Sequence, residues 1–143
     1  LAMVRLAVEG NPRFGVSTME LRRTGFSYTI DTWEELRLEY PKAEIFFIIG
    51  GDSLCELHTW HEAKRLVEGA HFLAAARPGF DIDWDKLFIN FGKMIGEHIH
   101  IFPVPQMELS SSDIRKRLKE GCSVRYLLPE KALEYIRRKG LYR

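Results

Sequence analysis

Apolar residues in this chain fall into short uninterrupted runs and into stretches with the spacing of an amphipathic helix. The runs Ile45–Ile49 and Phe72–Ala76 predict strands, and the first has the pattern of a strand buried on both faces of a parallel sheet. The segments Phe14–Leu21 and His98–Val104 alternate or are rich in apolar residues and predict two more strands. Strands therefore recur from one end of the chain to the other.

Helical spacing occupies the segments between these runs. The opening residues from Leu1 predict a helix that ends at the breaker cluster Gly10–Pro12, while residues 80–95 fit neither pattern. Further helices are predicted over Thr29–Tyr40, Asp52–Leu57, His61–Gly69, Ser112–Leu118 and Pro129–Lys139. Alternation of strands and helices predicts an α/β protein with a Rossmann-like, doubly wound parallel sheet.

Composition narrows the class of protein. With 143 residues, of which 45% are hydrophobic, the chain has material for one core, so we expect a single domain over residues 1–143. A net charge of +1 disfavours a nucleic-acid partner, and no apolar run approaches the roughly 18 residues of a membrane span. Cys55 and Cys122 are far apart, which fits a reducing cytosol, so we expect a cytoplasmic protein.

The segment Ser110–Arg115, here called the phosphate segment, follows the last predicted strand. Its three serines precede a helix, so their hydroxyls and the free N–H groups of the first turn face the place where the helix dipole favours an anion. Arg115 lies one turn inside the helix and adds a planar cationic fork. These residues predict a phosphate site. The alternative is a plain serine cap with a surface arginine.

Two further loops carry polar or aromatic residues after predicted strands, where ligands bind in open α/β sheets. Gly50 allows close approach of a ligand, and Asp52 has a carboxylate suited to ribose hydroxyls; the alternative is a strand-to-helix turn with Asp52 as cap. Trp60 stands in a polar stretch and is suited to stacking on a flat heterocycle, although a core role is the alternative.

The remaining polar clusters are less specific. Ser27, Tyr28 and Thr29 precede or open a predicted helix, and capping explains most of that pattern. The five histidines have no metal-binding spacing such as HExxH, so we expect no built metal site.

Taken together, these segments resemble those of bacterial nicotinate-nucleotide adenylyltransferases, members of the HxGH nucleotidylyltransferase superfamily. The resemblance runs through nearly the whole chain. It is carried by GFSYTIDTWEEL, FFIIGGDSL, HTWHE, ARPGF, LSSSDIRKRL and YLLPEKALEYIRRKGLY, in that order. The family's signature I-S-S-T-x-I-R falls on Leu109–Arg115, with Leu for Ile and Ser for Thr.

The resemblance implies transfer of the adenylyl group from ATP to nicotinate mononucleotide, with Mg²⁺, giving deamido-NAD and pyrophosphate. It implies roles for ten residues. Ser111, Ser112 and Arg115 would hold the triphosphate, with Arg115 catalytic, while Gly50, Asp52 and Arg77 would line the adenylate side. Trp60 would stack on the pyridine ring, and Tyr28, Thr29 and His61 would also bind this substrate. Backbone amides near Thr29 and His61 would meet the nicotinate carboxylate.

The main departure concerns the N-terminus. The family's GxFDPxHxGH loop does not occur in this sequence, so we expect a fold without the N-terminal strand and histidine loop, about the first quarter of the family's length, and doubtful activity. A sheet without its central strand has two free edges, which favours either association, as in a homo-oligomer, or instability.

Two other readings remain open. Phosphopantetheine adenylyltransferase shares the serine-arginine loop, although Trp60 and the Ser27–Thr29 segment favour a pyridine nucleotide. A non-catalytic nucleotide-binding module that has lost the histidine loop is an alternative of a different class.

Overall fold

The computed structural model describes residues 1–76, 81–105 and 109–142. The elements in chain order are α1 (Ala2–Val8), α2 (Met19–Arg22), α3 (Thr29–Glu39), β1 (Phe46–Gly50), α4 (Gly51–Cys55), a 3₁₀ turn (Leu57–Thr59), α5 (Ala63–Val67), β2 (His71–Ala76), α6 (Trp84–Phe91), α7 (Ile95–His98), β3 (Ile99–Pro103), α8 (Ser111–Lys119) and α9 (Glu130–Lys139). Helices thus separate successive strands, as an α/β fold requires.

The described residues divide into two compact units, one of residues 19–106 and one formed by residues 1–18 together with 107–143. The first contains the sheet and the second contains α1, α8 and α9. The single domain expected over residues 1–143 stays a prediction.

The sheet has the order β1-β2-β3, and both pairings are parallel. One face is covered by the helices of the same unit. Phe72 and Ala74 on β2 are fully buried there, in one cluster with Trp33 of α3, Leu54 of α4 and Leu66 of α5. This confirms the predicted α/β class with a parallel sheet.

The apolar run Ile45–Ile49 was predicted to form a strand buried on both faces, and this is wrong for one face of β1. Side chains in β1 alternate between partly buried and exposed, and Ile48 is 73% exposed. β1 lies at the edge of the three strands, and the helices of its unit cover the opposite face. A continuous apolar run indicates a strand but does not by itself fix which of its faces is covered.

The strand predicted over Phe14–Leu21 is also wrong. Residues 11–18 have no regular structure, and Met19 begins the short helix α2, where its side chain is buried. Alternation stabilises a strand only where a neighbouring strand accepts its hydrogen bonds, and the strands of the described residues pair only among themselves. The ambiguous stretch 80–95 contains α6, which begins at the capping side chain of Asp83.

The second unit has its own small apolar core. Helix α9 buries Ala132, Leu133 and Ile136, and α1 packs against α9. An ion pair of 3.0 Å joins Lys131 Nζ to Glu9 Oε2 just beyond α1. Across the described residues, no helix combines the length and the apolar character needed to cross a membrane.

Candidate active site

Tyr28 and His61 lie against each other although 33 positions separate them in the sequence. Their rings stack with centroids 4.1 Å apart and an interplanar angle of 26°. Both side chains are largely accessible, Tyr28 at 40% and His61 at 49%. The stack places the start of α3 beside the turn that follows Trp60. These four positions, Tyr28, Thr29, Trp60 and His61, are called the pyridine-side residues below.

The start of α3 is held by local and longer-range hydrogen bonds. The Tyr28 N–H donates to Asp31 Oδ2 over 3.3 Å, and Arg23 Nη1 donates to Thr32 Oγ1 over 2.8 Å. Arg23 also pairs with Glu35 over 2.7 Å, and Thr32 donates to Glu20 Oε1 over 2.7 Å. The capping predicted for this segment therefore comes from Asp31, and the network fixes the loop that leads into Tyr28.

Two backbone amides remain available beside the stacked rings. The N–H groups of Thr29, the first residue of α3, and of His61 have no acceptor among the described residues. At a helix N-terminus such a group adds to the positive end of the helix dipole. The two amides are suited to a carboxylate.

Trp60 is partly buried and packs against the core, so the core role left open for it is confirmed in part, while its stacking role stays a prediction. One edge packs on the core, with the Trp60 and Phe72 rings at an interplanar angle of 76° and a centroid distance of 6.5 Å. Its backbone closes the turn through Trp60 N–H to Leu57 O, 3.1 Å, and Ala63 N–H to Trp60 O, 3.3 Å.

The remainder of the Trp60 side chain lines an open cavity. This cavity has a volume of about 410 Å³, within the usual size of small-molecule sites. Its wall includes His58, Lys64 and Asn90 along with Trp60, and it does not include Tyr28, Thr29 or His61. Trp60 therefore has open space beside it, in a cavity that the stacked rings do not line.

Gly50 and Asp52 lie where β1 passes into α4. Gly50 is the N-cap of α4 with φ −75° and ψ 158°, a conformation open to any residue, and a Cβ there would meet no described atom within 4 Å. Neither strain nor crowding explains this glycine, which leaves room above its Cα for a ligand. Asp52 is exposed in the first turn and is not the cap, so the capping alternative for it is wrong. Arg77 lies outside the described residues.

The phosphate segment belongs to the second unit and forms the start of α8. Ser110 is the N-cap, and its Oγ accepts a hydrogen bond of 3.0 Å from the Asp113 N–H. Arg115 Nη2 donates to Ser112 Oγ over 3.0 Å, which brings the guanidinium back towards the N-terminus of its helix. Ser111, Ser112 and Arg115 are all exposed. A serine hydroxyl, the first-turn amides and a guanidinium thus share one helix end.

One acidic residue lies in this otherwise cationic turn. Asp113 Oδ2 accepts a hydrogen bond of 2.8 Å from Arg117 Nε. The hydrogen bond from Arg117 to Asp113, followed by the charge of that carboxylate, raises the pKa of Arg117 above its usual value. Arg117 therefore offsets the charge of Asp113, and the described contacts of Arg115 include no acidic partner.

Histidines form a separate cluster on the sheet. The rings of His71 and His98 stack with centroids 4.8 Å apart, and His100 Nε2 lies 3.5 Å from His71 Nδ1. Among the described residues, no group of three His, Cys, Asp or Glu side chains has an arrangement that would hold a metal ion.

The structure thus joins some predicted residues and leaves others in separate units. The pyridine-side residues, Gly50 and Asp52 belong to residues 19–106, and the phosphate segment belongs to the other unit. An ion-pair chain beside the pyridine-side residues, in which Arg65 pairs with Glu62 and Glu34, was not predicted from the sequence. The spacing of Glu62 and Arg65 was a visible signal, whereas nothing in the sequence pointed to Glu34.

Comparison with known families defines the class of the protein. A family model described as cytidylyltransferase-like matches residues 1–117. The match extends from α1 into α8, so it includes the sheet, the pyridine-side residues and the phosphate segment.

Curated relatives define the protein more closely. The probable nicotinate-nucleotide adenylyltransferase of Desulfitobacterium hafniense is 43% identical, over 99% of this chain and 69% of its own length. That of Herpetosiphon aurantiacus is 44% identical, over 99% of this chain and 71% of its own length. The chain therefore belongs to the cytidylyltransferase-like family and, within it, to the nicotinate-nucleotide adenylyltransferases. The resemblance seen in the sequence motifs is confirmed.

Solved structures support the fold. Nicotinic acid mononucleotide adenylyltransferase of Plasmodium falciparum, complexed with APC, superposes with a TM-score of 0.63 at 24% identity, over 83% of this chain. The same enzyme complexed with NaAD gives a TM-score of 0.62. This chain spans 60% of the length of the first of those structures.

Proposed function

We propose that this protein transfers the adenylyl group of ATP to nicotinate mononucleotide, which gives deamido-NAD and pyrophosphate in NAD biosynthesis. The observation that carries the proposal is the Tyr28–His61 stack together with two backbone amides, those of Thr29 and His61, that have no acceptor among the described residues. Trp60, the residue before His61, lines an open cavity of its own. The names of the curated relatives support the same activity.

The pyridine-side residues recognise the nicotinate ring and its carboxylate. Trp60 stacks on the flat ring with the part of its indole that does not pack on Phe72. The Thr29 and His61 N–H groups donate to the carboxylate, and the dipole of α3 adds to that attraction. A neutral amide in place of the carboxylate would gain less from this electrostatic contribution.

The phosphate segment binds the triphosphate of ATP. Amides of the first turn of α8 and the hydroxyls of Ser111 and Ser112 donate to phosphate oxygens, while Arg115 adds a fork of charged donors. The salt bridge from Arg117 to Asp113 reduces the repulsion that a carboxylate would exert on the phosphates. The resemblance assigns Gly50, Asp52 and Arg77 to the adenylate: Gly50 leaves space for a nucleotide, and Asp52 accepts from ribose hydroxyls.

The reaction requires no covalent intermediate with the protein. A phosphate oxygen of nicotinate mononucleotide attacks the α-phosphorus of ATP in line, the new P–O bond forms, and the bond to the bridging oxygen of the departing pyrophosphate breaks. The chain contributes positioning of the two reactants and stabilisation of the charge that develops on the leaving group. Arg115 is the catalytic residue for that second task.

Magnesium belongs to this reaction as a partner of the triphosphate. Mg²⁺ in such sites is held largely by phosphate oxygens and water, with one or two carboxylates at most, and it neutralises phosphate charge when bound. We assign no residue of this chain to the ion.

Calorimetric titration of the chain distinguishes the proposed function from the alternative within the superfamily, phosphopantetheine adenylyltransferase. We expect binding of ATP and of nicotinate mononucleotide, and no binding of 4′-phosphopantetheine. Preference for phosphopantetheine over the mononucleotide would contradict the proposal. Release of pyrophosphate from ATP on addition of nicotinate mononucleotide distinguishes a transferase from a non-catalytic nucleotide-binding module.

A further inference from the structure

An ion-pair chain connects α5 to α3 beside the pyridine-side residues. Arg65 Nη1 donates to Glu62 Oε2 over 2.9 Å, and Arg65 Nη2 pairs with Glu34 Oε1. Glu62 directly follows His61, and Glu34 lies on α3, the helix that begins at Thr29. One guanidinium therefore joins the two segments that supply the stacked rings.

The backbone at Glu62 has an unusual conformation. Glu62 is the N-cap of α5 and has φ 49° and ψ 38°, in the left-handed region that residues other than glycine rarely occupy. Such a residue persists where its surroundings hold it, and these residues concentrate at functional sites. Three contacts of Glu62 are described here: its carbonyl accepts from the Leu66 N–H over 3.0 Å, its side chain pairs with Arg65, and its Oε1 lies 3.8 Å from His61 Nε2. The dihedral angles of Glu62 fix the direction in which the chain leaves His61.

We infer that Arg65 is a positioning residue for the pyridine side of the site. By holding Glu62 and Glu34 together, it keeps the turn Trp60–Glu62 against α3 and so keeps the His61 ring stacked on Tyr28 and the His61 amide directed at the substrate. This inference rests on the proposed function, because the substrate it concerns is nicotinate mononucleotide.

The chemistry of arginine suits this task. A planar fork meets carboxylates from two different elements at once, whereas the ammonium of lysine is a single point charge. The hydrogen bond to Glu62, and then the charge of Glu34, raise the pKa of Arg65 above its usual value. All three side chains are more than a third exposed, and exposed ion pairs add little to stability. The main effect of the network is therefore on geometry.

The test compares Arg65→Gln, Arg65→Lys and Arg22→Gln with the unchanged chain. Arg22 of α2 pairs over 3.4 Å with Glu35, which lies on α3 like Glu34, and its described contacts include none with the turn, so Arg22→Gln is the matched control. The first measurement is the ¹H NMR chemical shift of the His61 ring, whose resonance is assigned by its loss in His61→Ala. The ring current of Tyr28 displaces this resonance as long as the stack persists. The second is the affinity for nicotinate mononucleotide and, separately, for ATP.

We expect Arg65→Gln to lose the displacement of the His61 resonance and to weaken mononucleotide binding about three- to fivefold, the upper range for a surface ion-pair network. ATP binding by Arg65→Gln should be unchanged, and Arg22→Gln should behave like the unchanged chain in both measurements. Arg65→Lys should give values between those of Arg65→Gln and those of the unchanged chain. The inference is overturned if Arg65→Gln keeps the displacement, keeps its mononucleotide affinity, or weakens ATP binding equally. If the unchanged chain itself binds no mononucleotide, the proposed function fails and this inference fails with it, a result that the unchanged chain alone reveals.

Discussion

The two regions proposed to bind the substrates are held in different ways. Tyr28 and His61 are 33 positions apart and meet through a ring stack, while the Trp60 turn packs on Phe72 and connects to α3 through Arg65. In the phosphate segment, by contrast, the described contacts are three or four positions apart, as in Ser110 to Asp113 and Ser112 to Arg115. The first region depends on tertiary structure, and the second depends on its own helix.

This difference determines how each region responds to mutation. A change in the packing beneath α3 should disturb the pyridine-side residues without altering α8, which buries no residue of its own. A change in α8 should act directly on phosphate contacts and on little else. Four predictions test this comparison.

The largest expected effect comes from Gly69→Ala. A Cβ at Gly69 would lie 2.3 Å from Trp33 Cζ2, so the indole of α3 would have to move, at about 3 kcal/mol, the upper end of the usual cost of overpacking. Urea unfolding measures this cost. Gly96→Ala is the control, because its nearest contact would be Phe88 at an ordinary 3.8 Å. In the double variant with Trp33→Phe the clashing atoms are absent, so the combined cost should be less than the sum; simple additivity would rule out the clash.

Arg115→Ala should weaken ATP binding by about 2 kcal/mol, or roughly thirtyfold, the size of a hydrogen bond between charged groups. Mononucleotide binding should not change, since the proposal places Arg115 only on the phosphates. Arg117→Ala on the same helix removes an equal charge that is already paired with Asp113, and it should cost less. Calorimetry with each ligand separates the two, and equal losses for both ligands in Arg115→Ala would refute the assignment.

Trp60→Ala should weaken binding of nicotinate mononucleotide by roughly 1 to 3 kcal/mol, the range of aromatic stacking on a base. The affinity for ATP should be unaffected. Because Trp60 also packs on Phe72, the affinity should be compared with the free energy of unfolding of the same variant. An unchanged mononucleotide affinity with lowered stability would make Trp60 a core residue only.

Ser110→Ala should have the smallest effect, a loss of about 1 kcal/mol in the stability of α8 through the missing cap to the Asp113 N–H. Hydrogen exchange of the Asp113 and Ile114 amides measures this loss, and exchange at the Thr32 amide should stay the same. Ser123→Ala outside the helix serves as the control. Faster exchange in α3 as well would mean that the two regions are not independent.

The sequence was sufficient for features that depend on local order. The Gly, Pro and Ser signals located α3, α8 and α9, and the apolar runs located β1 and β2 to within one or two residues. The phosphate segment was visible because its contacts lie within one turn. The Ser110 cap and the exposed Arg115 agree with the alternative of a serine cap and a surface arginine, and the phosphate role stays a prediction.

Features that depend on distant residues were not visible in the sequence. The Tyr28–His61 stack and the pairing of Arg65 with Glu34 each join positions about 30 apart. The strand predicted over Phe14–Leu21 was wrong for a related reason, because alternation does not show whether a partner strand exists. The exposed face of β1 likewise depends on which helices lie over the sheet.

The most direct test of the central claim, a pyridine pocket at Trp60, is a titration of tryptophan fluorescence with deamido-NAD and separately with NAD. Trp33 and Trp84 also emit, so Trp60→Phe is measured in parallel. We expect deamido-NAD to quench at lower concentration than NAD and the quenching to disappear in Trp60→Phe. Quenching that persists in Trp60→Phe, or none with either dinucleotide, would contradict a pyridine pocket at this residue.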